Sequence, residues 1–514
     1  MLRSLMTVSG FTLLSRILGL VREMLIAHFL GAGAKSDIWV AAFRFPNLFR
    51  RILGEGALNA AFVPLYSGKL ETEGVEAASN FGSRVTILLS MILALICVVC
   101  YFFMEGITRF LTSGFSEDKI LEATYFSKIT ISYLFLICIV AAVSGILNSH
   151  KKFAAPSFAY AILNVVFLVG ILGVMPFVED KTEVLAWSLV VGGVVQLGVV
   201  AIALMRSEFK FILTFPKIDT DIKRLGLLMG PGLISAGVQQ FNLIVGQWVA
   251  SHQDGGMSYI FYSDRVNQLP LGIIGIAFGI VLLPELTKKL KGGLREEARQ
   301  SIEDGMTMAM FIAIPAMVGM AVLAEPIMVA LFRGGEFTLE KGVLCGQALM
   351  AFSIGCPAYI AARVMQAGYF ASEDTKTPMK FTMISAVVNI VLCLIAWSVM
   401  GAGGALHVGC AAATSVAGWV NILLLSWGLK KQGLLHVTRE FWTKFSKMLI
   451  ASLVMGLAAW FMADLFRDLI YDGFRLLRIV MVGLIASFGL VVYLLIAHII
   501  GAVSLVEIKA RFRR

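Results

Sequence analysis

The sequence predicts an all-α polytopic membrane protein with about fourteen transmembrane helices, on three observations. Hydrophobic residues make up 58% of the 514 positions and charged residues only 15%, against roughly 25% in soluble domains. Apolar segments of about 20 residues, the length that crosses a bilayer, follow one another along the whole chain. No loop between them exceeds about twenty residues, which leaves no room for a soluble catalytic domain.

Apolar content places the helices in chain order. The first resembles a signal peptide in its basic start, but it contains Arg16 and Arg22 and no small-residue cleavage site, so we expect it to be retained. The predicted helices lie near 5–30, 36–65, 81–104, 124–147, 155–178, 184–205, 225–250, 258–284, 304–324, 342–370, 377–400, 405–429, 447–466 and 476–500.

Lysine and arginine are concentrated in alternate loops. Basic groups such as Lys151-Lys152, Lys223-Arg224 and Lys288-Lys289 fall on one side, together with both termini, and the positive-inside rule assigns that side to the cytoplasm. The other side has fewer basic residues and acidic ones such as Glu117-Asp118. The rule accounts for the net charge of +10, so nothing calls for a nucleic-acid partner.

The sequence gives little support to an enzymatic function. It has no match to G-x-x-x-x-G-K-[ST], H-E-x-x-H or G-x-S-x-G, and its six histidines are scattered. The seven cysteines all lie in apolar segments, where free cysteine behaves as a small hydrophobe. We therefore expect a transporter with no cofactor and no metal site, driven by the membrane potential or an ion gradient.

An internal repeat organises the first twelve helices. A shift of about 220 residues superposes Gly10 on Gly230 and Pro64 on Pro284, and a slightly larger shift pairs Pro156 with Pro378. Because six helices are an even number, both copies enter the membrane in the same sense, which predicts two six-helix lobes related by a pseudo-two-fold axis along the membrane normal, with a central cavity. The predicted domains are an N-terminal lobe, a cytoplasmic linker, a C-terminal lobe, and two extra helices with a basic tail, at 1–206, 207–224, 225–431 and 432–514.

The first two predicted helices carry more charge than lipid tolerates. A charge at the centre of a membrane helix costs roughly 2.5–3.5 kcal/mol on insertion scales. Helix 1 places Arg16, Arg22 and Glu23 on one polar stripe. On helix 2, Asp37, Arg44, Arg51 and Glu55 form a second stripe, and Arg50 is rotated about 100° from it. Pro46 is expected to kink or break this helix. The charged residues of helix 2 are Asp37, Arg44, Arg50, Arg51 and Glu55.

The matching helix of the second lobe carries Ser258, Asp264 and Arg265, with Pro270 a little beyond. One interpretation is that the arginines only form buried ion pairs that hold helices in register. Against it, six arginines outnumber the four carboxylates Glu23, Asp37, Glu55 and Asp264. An excess of guanidinium favours an anionic ligand, and its planar fork suits a phosphate or pyrophosphate. Arg44 and Arg51 could instead reach an interface, and Arg363 is a further candidate cavity residue.

Several runs resemble one family. S-R-I-L-G-L-V-R-E from Ser15, G-A-G-A-K-S-D from Gly31 and F-P-N-L-F-R-R-I-L-G-E-G-A-L-N-A-A-F-V-P from Phe45 resemble the signature opening of the MurJ (MviN) family. The resemblance continues through Y-S-D-R ending at Arg265 and D-T-K-T-P ending at Pro378. Members are lipid II flippases of the multidrug/oligosaccharidyl-lipid/polysaccharide exporter superfamily.

The resemblance implies a substrate, a site and a location. It implies transport of lipid II, a peptidoglycan precursor carried on undecaprenyl pyrophosphate, across the bacterial inner membrane, with membrane lipid and cell-wall synthesis proteins as further candidate partners. It makes Arg16, Arg22, Asp37, Arg50, Ser258 and Arg265 the substrate-binding residues, and we add Glu23, Glu55, Asp264 and Arg363 as supporting residues. It also implies that helices 13 and 14 form a groove for the undecaprenyl tail.

The coupling ion stays open. Some relatives bind sodium through an acidic residue in helix 7, but here that helix offers only neutral polar residues such as Ser235, Gln239 and Gln240. Asn389 and Thr414 could supply oxygens without completing a site. Two other functions also remain: an exporter of another polyprenyl-linked glycan or an amphipathic drug, and a non-transporting membrane scaffold.

Overall fold

The computed structural model describes residues 2–52, 58–213 and 218–502, and over these the chain is α-helical with no strands. The chain divides into two compact units, Met1–Gly255 and Gly256–Arg514. The all-α membrane fold class predicted from the sequence is confirmed. The predicted domain boundaries differ from this division in the placement of the helix at 225–250, and they stay a prediction.

The first unit contains nine α-helices within its described residues. Two of them begin at a capping aspartate: Asp180 accepts from the amide of Thr182, and Asp219 accepts from that of Ile222. The helices are α1 Leu2–Leu30, α2 Ala34–Phe49, α3 Leu58–Thr72, α4 Gly74–Phe102, α5 Met104–Leu111, α6 Glu117–Ser149, α7 Ala154–Gly173, α8 Lys181–Met205 and α9 Thr220–Ala250.

The second unit contains ten, again counted over described residues. Two of them, α13 and α14, correspond to the single helix predicted over 342–370. The chain breaks there because Pro357 has no N–H to donate to the carbonyl of Ser353. The helices are α10 Gly256–Lys291, α11 Arg295–Val322, α12 Ala324–Phe332, α13 Leu339–Ser353, α14 Cys356–Ala371, α15 Lys376–Met400, α16 Leu406–Lys431, α17 Arg439–Leu465, α18 Arg467–Tyr471 and α19 Arg475–Ile499.

Helix boundaries repeat at the interval predicted from the sequence. The short helices α5 and α12 begin at Met104 and Ala324, which are equivalent positions of the two copies under the predicted shift. Glu117 and Leu339, which begin α6 and α13, are slightly farther apart in the chain, so the interval grows as expected. A short helix follows the third predicted span of each copy, and the apolar count alone missed both.

Ten spans of the described chain are long and apolar enough to cross a membrane. Helices α1, α9 and α10, of 29, 31 and 36 residues, also have the length to cross, and α2 with α3 occupies the remaining predicted span. These elements are compatible with fourteen spans, and the count itself stays a prediction. Large apolar side chains remain exposed on α4, α15, α17 and α19, as expected of faces that contact lipid.

Each unit has its own apolar core. In the first unit, α6 lies at the centre, with four-fifths of its most apolar stretch buried (78%), and Tyr66 and Phe81 pack against it. In the second unit, the core is built from α11, α14 and the C-terminal helices, and Tyr493 donates its hydroxyl to the carbonyl of Phe311 at 2.8 Å. These cores fix the helices that carry the predicted site residues.

Candidate functional site

One edge of the polar stripe of α1 packs against α7. The side chain of Asn164 donates to the carbonyl of Ser15 at 3.1 Å and to its hydroxyl at 3.3 Å, and the Ser15 hydroxyl donates to the carbonyl of Tyr160. A Cβ atom at Gly19 would lie 3.8 Å from the side-chain oxygen of the same asparagine. At Ser15, this side of α1 therefore faces a polar group of a neighbouring helix.

Arg22 and Glu23 form a buried ion pair on α1. The two residues are 9% and 3% exposed, and Nη2 of the arginine lies 2.5 Å from Oε1 of the glutamate. The guanidinium carbon lies 4.9 Å from the centre of the Phe167 ring on α7, which orients the planar group by a cation–π contact. The Nε of Arg22 is buried and has no hydrogen-bond partner in the described part of the chain. One donor of this guanidinium is therefore unused.

Arg16 differs from Arg22 in its surroundings. Its side chain is exposed, on the same helix and nearer to the N-terminus. It makes no hydrogen bond or ion pair with a residue that the structure describes. An exposed guanidinium within a helix of this length is available to a ligand, since all five of its N–H donors can turn outward.

The end of α2 is irregular, and Pro46 explains why. A proline lacks the N–H that would bond to the carbonyl four residues earlier, that of Ala42. The hydroxyl of Thr130 on α6, fully buried, donates to this carbonyl at 2.8 Å instead. From Arg50 the chain continues as a wider π-type turn through residue 52, a feature found often at functional sites. The predicted helix over 36–65 is thus disturbed beyond Pro46, as expected, and α3 begins at Leu58.

Arg50 lies at the start of this π-type turn. Its Nε donates to the side-chain oxygen of Asn47 at 2.9 Å, and Asn47 is 9% exposed. Asn47 therefore holds the arginine at the end of α2 through a neutral contact that leaves the positive charge uncompensated by that residue. Sequence reasoning did not single out Asn47, although its place one residue after Pro46 could have drawn attention to it.

Asp37 is fully buried, in the first turn of α2. Its Oδ2 accepts the backbone N–H of Gly255 at 2.9 Å and lies 3.4 Å from Nζ of Lys119, at the start of α6. Lys119 also pairs with Asp254 at 2.7 Å. This group, which we call the Asp37 junction, joins α2, α6 and the loop after α9. No local pattern marks Lys119, because its partners lie 82 and 135 residues away.

In the second unit, Ser258 and Arg265 are both on α10. Ser258 is fully buried near the start of the helix, and Arg265 is half-buried with its guanidinium carbon 4.8 Å from the centre of the Phe261 ring. Asp264 accepts a hydrogen bond from Gln268 at 3.3 Å. Pro270 does not break the helix, since α10 continues through it to Lys291.

The other residues considered in the sequence analysis have varied surroundings. Arg363 on α14 and Arg51 are exposed, and Arg44 is half-buried on α2. Glu55 lies outside the described residues, as do the side chains of Ser235 and Gln239. On α9 the structure describes Gln240 as buried, and on α15 Asn389 is 4% exposed and accepts from the thiol of Cys393. Within the described ranges, no three histidine, cysteine, aspartate or glutamate side chains converge as a metal site would require.

Ion pairs hold the connection between α8 and α9 to the rest of the first unit. Arg84 pairs with Asp219, and Nζ of Lys69 lies 2.9 Å from Asp221. Burial acts to raise the pKa of Asp219, but the amide of Ile222 and the guanidinium of Arg84 outweigh it, so the pKa lies below the ordinary aspartate value. The hydrogen bond to Asp221 raises the pKa of Lys69.

Comparisons with known proteins agree with this architecture. The family model described as "Lipid II flippase MurJ" matches residues 26–481. A "Probable lipid II flippase MurJ" of Rhizobium tropici is 36% identical over 521 residues, covering 100% of this chain and 97% of the relative. A solved structure of "Lipid II flippase MurJ, inward closed conformation" is 26% identical, with a TM-score of 0.78, and covers 96% of this chain and 98% of its own.

The fold is also similar to a more distant transporter. A solved "Inward-facing conformation of a multidrug resistance MATE family transporter of the MOP superfamily" has a TM-score of 0.70 at 15% identity. It covers 82% of this chain and 95% of its own. At this identity the similarity speaks for the fold alone.

Proposed function

This chain belongs to the lipid II flippase MurJ family, and from that premise we propose that its arginines bind the pyrophosphate of lipid II during transport from the cytoplasmic to the periplasmic leaflet. The protein is a lipid II flippase of the bacterial inner membrane, a multi-pass transporter and not an enzyme. It therefore serves peptidoglycan synthesis. The binding residues, the energy source and the orientation of the termini are our proposals.

The observation that supports the site is the unused hydrogen-bonding capacity of two guanidiniums on α1. Arg22 is buried with an Nε that lacks an acceptor among described residues, and Arg16 is exposed without a described partner. Charges in a membrane helix persist where they meet a polar ligand or an aqueous space. Arginine cannot lose its charge by deprotonation, so an anion is the partner that lowers the cost.

Each proposed binding residue has a distinct part. Arg16, Arg22, Arg50 and Arg265 bind phosphate oxygens through paired N–H donors. Glu23 fixes Arg22 by the 2.5 Å ion pair, Asn47 orients Arg50, and Phe261 orients Arg265. Ser258 and Asp264 precede Arg265 on the same helix, and we assign Ser258 to the substrate site and Asp264 a supporting role. Arg363 and Glu55 stay supporting candidates.

The proposed role of Asp37 changes from the one predicted. Its carboxylate is fully buried in the Asp37 junction, with the Gly255 amide and Lys119 as partners. A carboxylate would also repel a pyrophosphate directly. We propose that Asp37 acts on transport by holding the loop after α9 against α2 and α6, and that it does not touch lipid II.

We propose that transport proceeds by alternating access and is driven by the membrane potential or an ion gradient. The sequence has no nucleotide-binding motif to supply the energy. Moving one charge through 100 mV is worth about 2.3 kcal/mol, enough to bias such a cycle. Lipid II transport is measured after valinomycin collapses the membrane potential, after nigericin collapses the proton gradient, and after sodium is removed. The treatment that stops transport identifies the energy source.

The orientation proposal places both termini in the cytoplasm, following the distribution of basic loops. A single accessible cysteine in the connection between α10 and α11, just after Lys288-Lys289, in a background lacking the seven native cysteines, tests it with a membrane-impermeant thiol reagent. Labelling from the periplasmic side of intact cells would contradict the assignment.

The experiment for the binding residues is complementation in cells depleted of the native protein. Arg16→Ala, Arg22→Ala, Arg50→Ala and Arg265→Ala are expected to reach the membrane folded and to leave labelled lipid II unexposed at its periplasmic face. Arg109→Ala is the matched control, because Arg109 is an exposed arginine paired with Glu117 outside the proposed site. Full complementation by all four site variants would refute the assignment.

A further inference from the structure

A group of three arginines in the second unit takes no part in the proposed substrate site. Arg333 ends α12, and Arg475 and Arg478 lie in the first turn of α19. Arg478 is only 7% exposed, and its Nη2 donates to the carbonyl of Arg333 at 3.0 Å. Its Nη1 lies 3.4 Å from the carbonyl of Val329. Arg478 therefore ties the end of α12 to the start of α19.

The three charges repel one another. The positive charges of Arg333 and Arg475 both act on Arg478. The carboxylate of Asp472 lies 4.0 Å from Nη1 of Arg333, and its side chain is 80% exposed, so solvent screens it. The first turn of α19 has no acidic residue. A helix N-terminus favours anions, so two arginines in this turn reverse the ordinary preference.

Two buried donors of this group have no hydrogen-bond acceptor in the described part of the chain. The Nε of Arg478 and the Nη1 of Arg333 are both buried, and neither has a hydrogen-bond acceptor among the residues described. Buried N–H groups in proteins are almost always satisfied, and guanidinium donors match the spacing of phosphate oxygens. The repulsion between the three arginines, the dipole at the N-terminus of α19 and the two unsatisfied guanidinium donors all favour a phosphate at this position.

The surroundings indicate which phosphate. Phe474 and Leu476, on either side of Arg475, are 67% and 65% exposed, as expected of side chains that contact lipid. Arg475 begins a candidate membrane span, at the depth where lipid headgroups lie. The basic-loop distribution assigns this end to the periplasm, where the positive-inside rule disfavours clustered arginines without a specific role.

We propose that Arg333, Arg475 and Arg478 bind the phosphate of an anionic phospholipid headgroup in the periplasmic leaflet. The bound lipid replaces the missing acceptors and offsets the repulsion between α12 and α19. It acts as a structural ligand of the second unit and is separate from the transported lipid II.

The test uses the full-length protein in detergent micelles, titrated with phosphatidylglycerol and followed by native mass spectrometry and thermal unfolding. The double variant Arg333→Gln/Arg475→Gln leaves Arg478 to hold α12. Removal of two charges at a membrane surface is expected to weaken phosphatidylglycerol binding about thirtyfold. Arg467→Gln is the control, since Arg467 is an exposed arginine of the same connection that stacks on Tyr471; it is expected to bind as the wild type does.

Several outcomes would overturn the proposal. Equal phosphatidylglycerol affinity in the wild type and the double variant would remove the site. Equal retention of zwitterionic phosphatidylethanolamine would remove the need for an anion. Inorganic phosphate that stabilises the wild type as much as phosphatidylglycerol would assign the site to a soluble anion. If the double variant does not fold, Arg475→Gln alone, at a half-buried position, decides the same comparison.

Discussion

Substitution of Asp37 separates a structural role from contact with lipid II. The Asp37 junction supplies two partners, the amide of Gly255 at 2.9 Å and the ammonium of Lys119 at 3.4 Å. Asp37→Asn keeps the shape and one acceptor but removes the charge. Asp37→Ala removes both, and leaves a backbone donor in a site that is fully buried.

The expected magnitudes follow from these contacts. Loss of charge turns charge-assisted hydrogen bonds into neutral ones, which costs about 1–2 kcal/mol in Asp37→Asn. In Asp37→Ala the Gly255 amide loses its acceptor and Lys119 keeps only Asp254, so the cost is about 3–5 kcal/mol, as for a broken buried ion pair. Lys119→Met should cost about as much as Asp37→Ala, because it leaves the fully buried Asp37 carboxylate without its ammonium partner.

The assay is unfolding of the purified protein in detergent, in parallel with lipid II exposure in depleted cells. A double-mutant cycle with Asp37→Asn and Lys119→Met should give a coupling free energy of about 1 kcal/mol or more. Transport should fall in the order of lost stability. If Asp37→Asn abolishes transport while both its unfolding free energy and the coupling to Lys119 stay unchanged, the structural reasoning is wrong and Asp37 contacts the substrate.

Three further predictions concern single sites. Arg22→Lys should fold, because the lysine ammonium can still pair with Glu23. Its lipid II transport should fall about tenfold, because lysine lacks the paired N–H donors of the guanidinium. Glu23→Gln should have a milder effect in the same lipid II assay. Gly114→Ala places a methyl group against the backbone of His252, closer than a Cβ atom can approach, and should destabilise the protein by about 1–3 kcal/mol. Gly106→Ala is the control, because the space around Gly106 is open. Equal unfolding temperatures of the two variants would contradict the described packing at Gly114. The pKa of Asp219 is lowered in the folded state, so its contribution to stability is present above the unfolded pKa of about 4 and is lost as pH falls through the folded pKa. Asp219→Asn should therefore be less stable than the wild type at pH 7. In strong acid the two proteins should have the same free energy of unfolding.

Much of the helical plan was predictable because it depends on local composition. A membrane span needs about 20 apolar residues, and that requirement is visible in any window of the sequence. The predicted disturbance at Pro46 and the repeat interval also rest on local chemistry and spacing. The short helices α5 and α12 and the break before Pro357 were missed, because they fall within or beside apolar stretches that give no boundary signal.

The sequence by itself determined the fold class, the repeat and the excess of arginine, because composition, period and charge are properties of the chain. Only the tertiary structure decided what each charge contacts. It paired Arg22 with its own neighbour Glu23 and with Phe167 on α7, and it joined Asp37 to Lys119 and Gly255. Those partners lie 82 to 218 residues from Asp37 in the chain, and packing of helices brings them within hydrogen-bonding distance. The same packing gathered Arg333 with Arg478 across 145 residues, which no local pattern records.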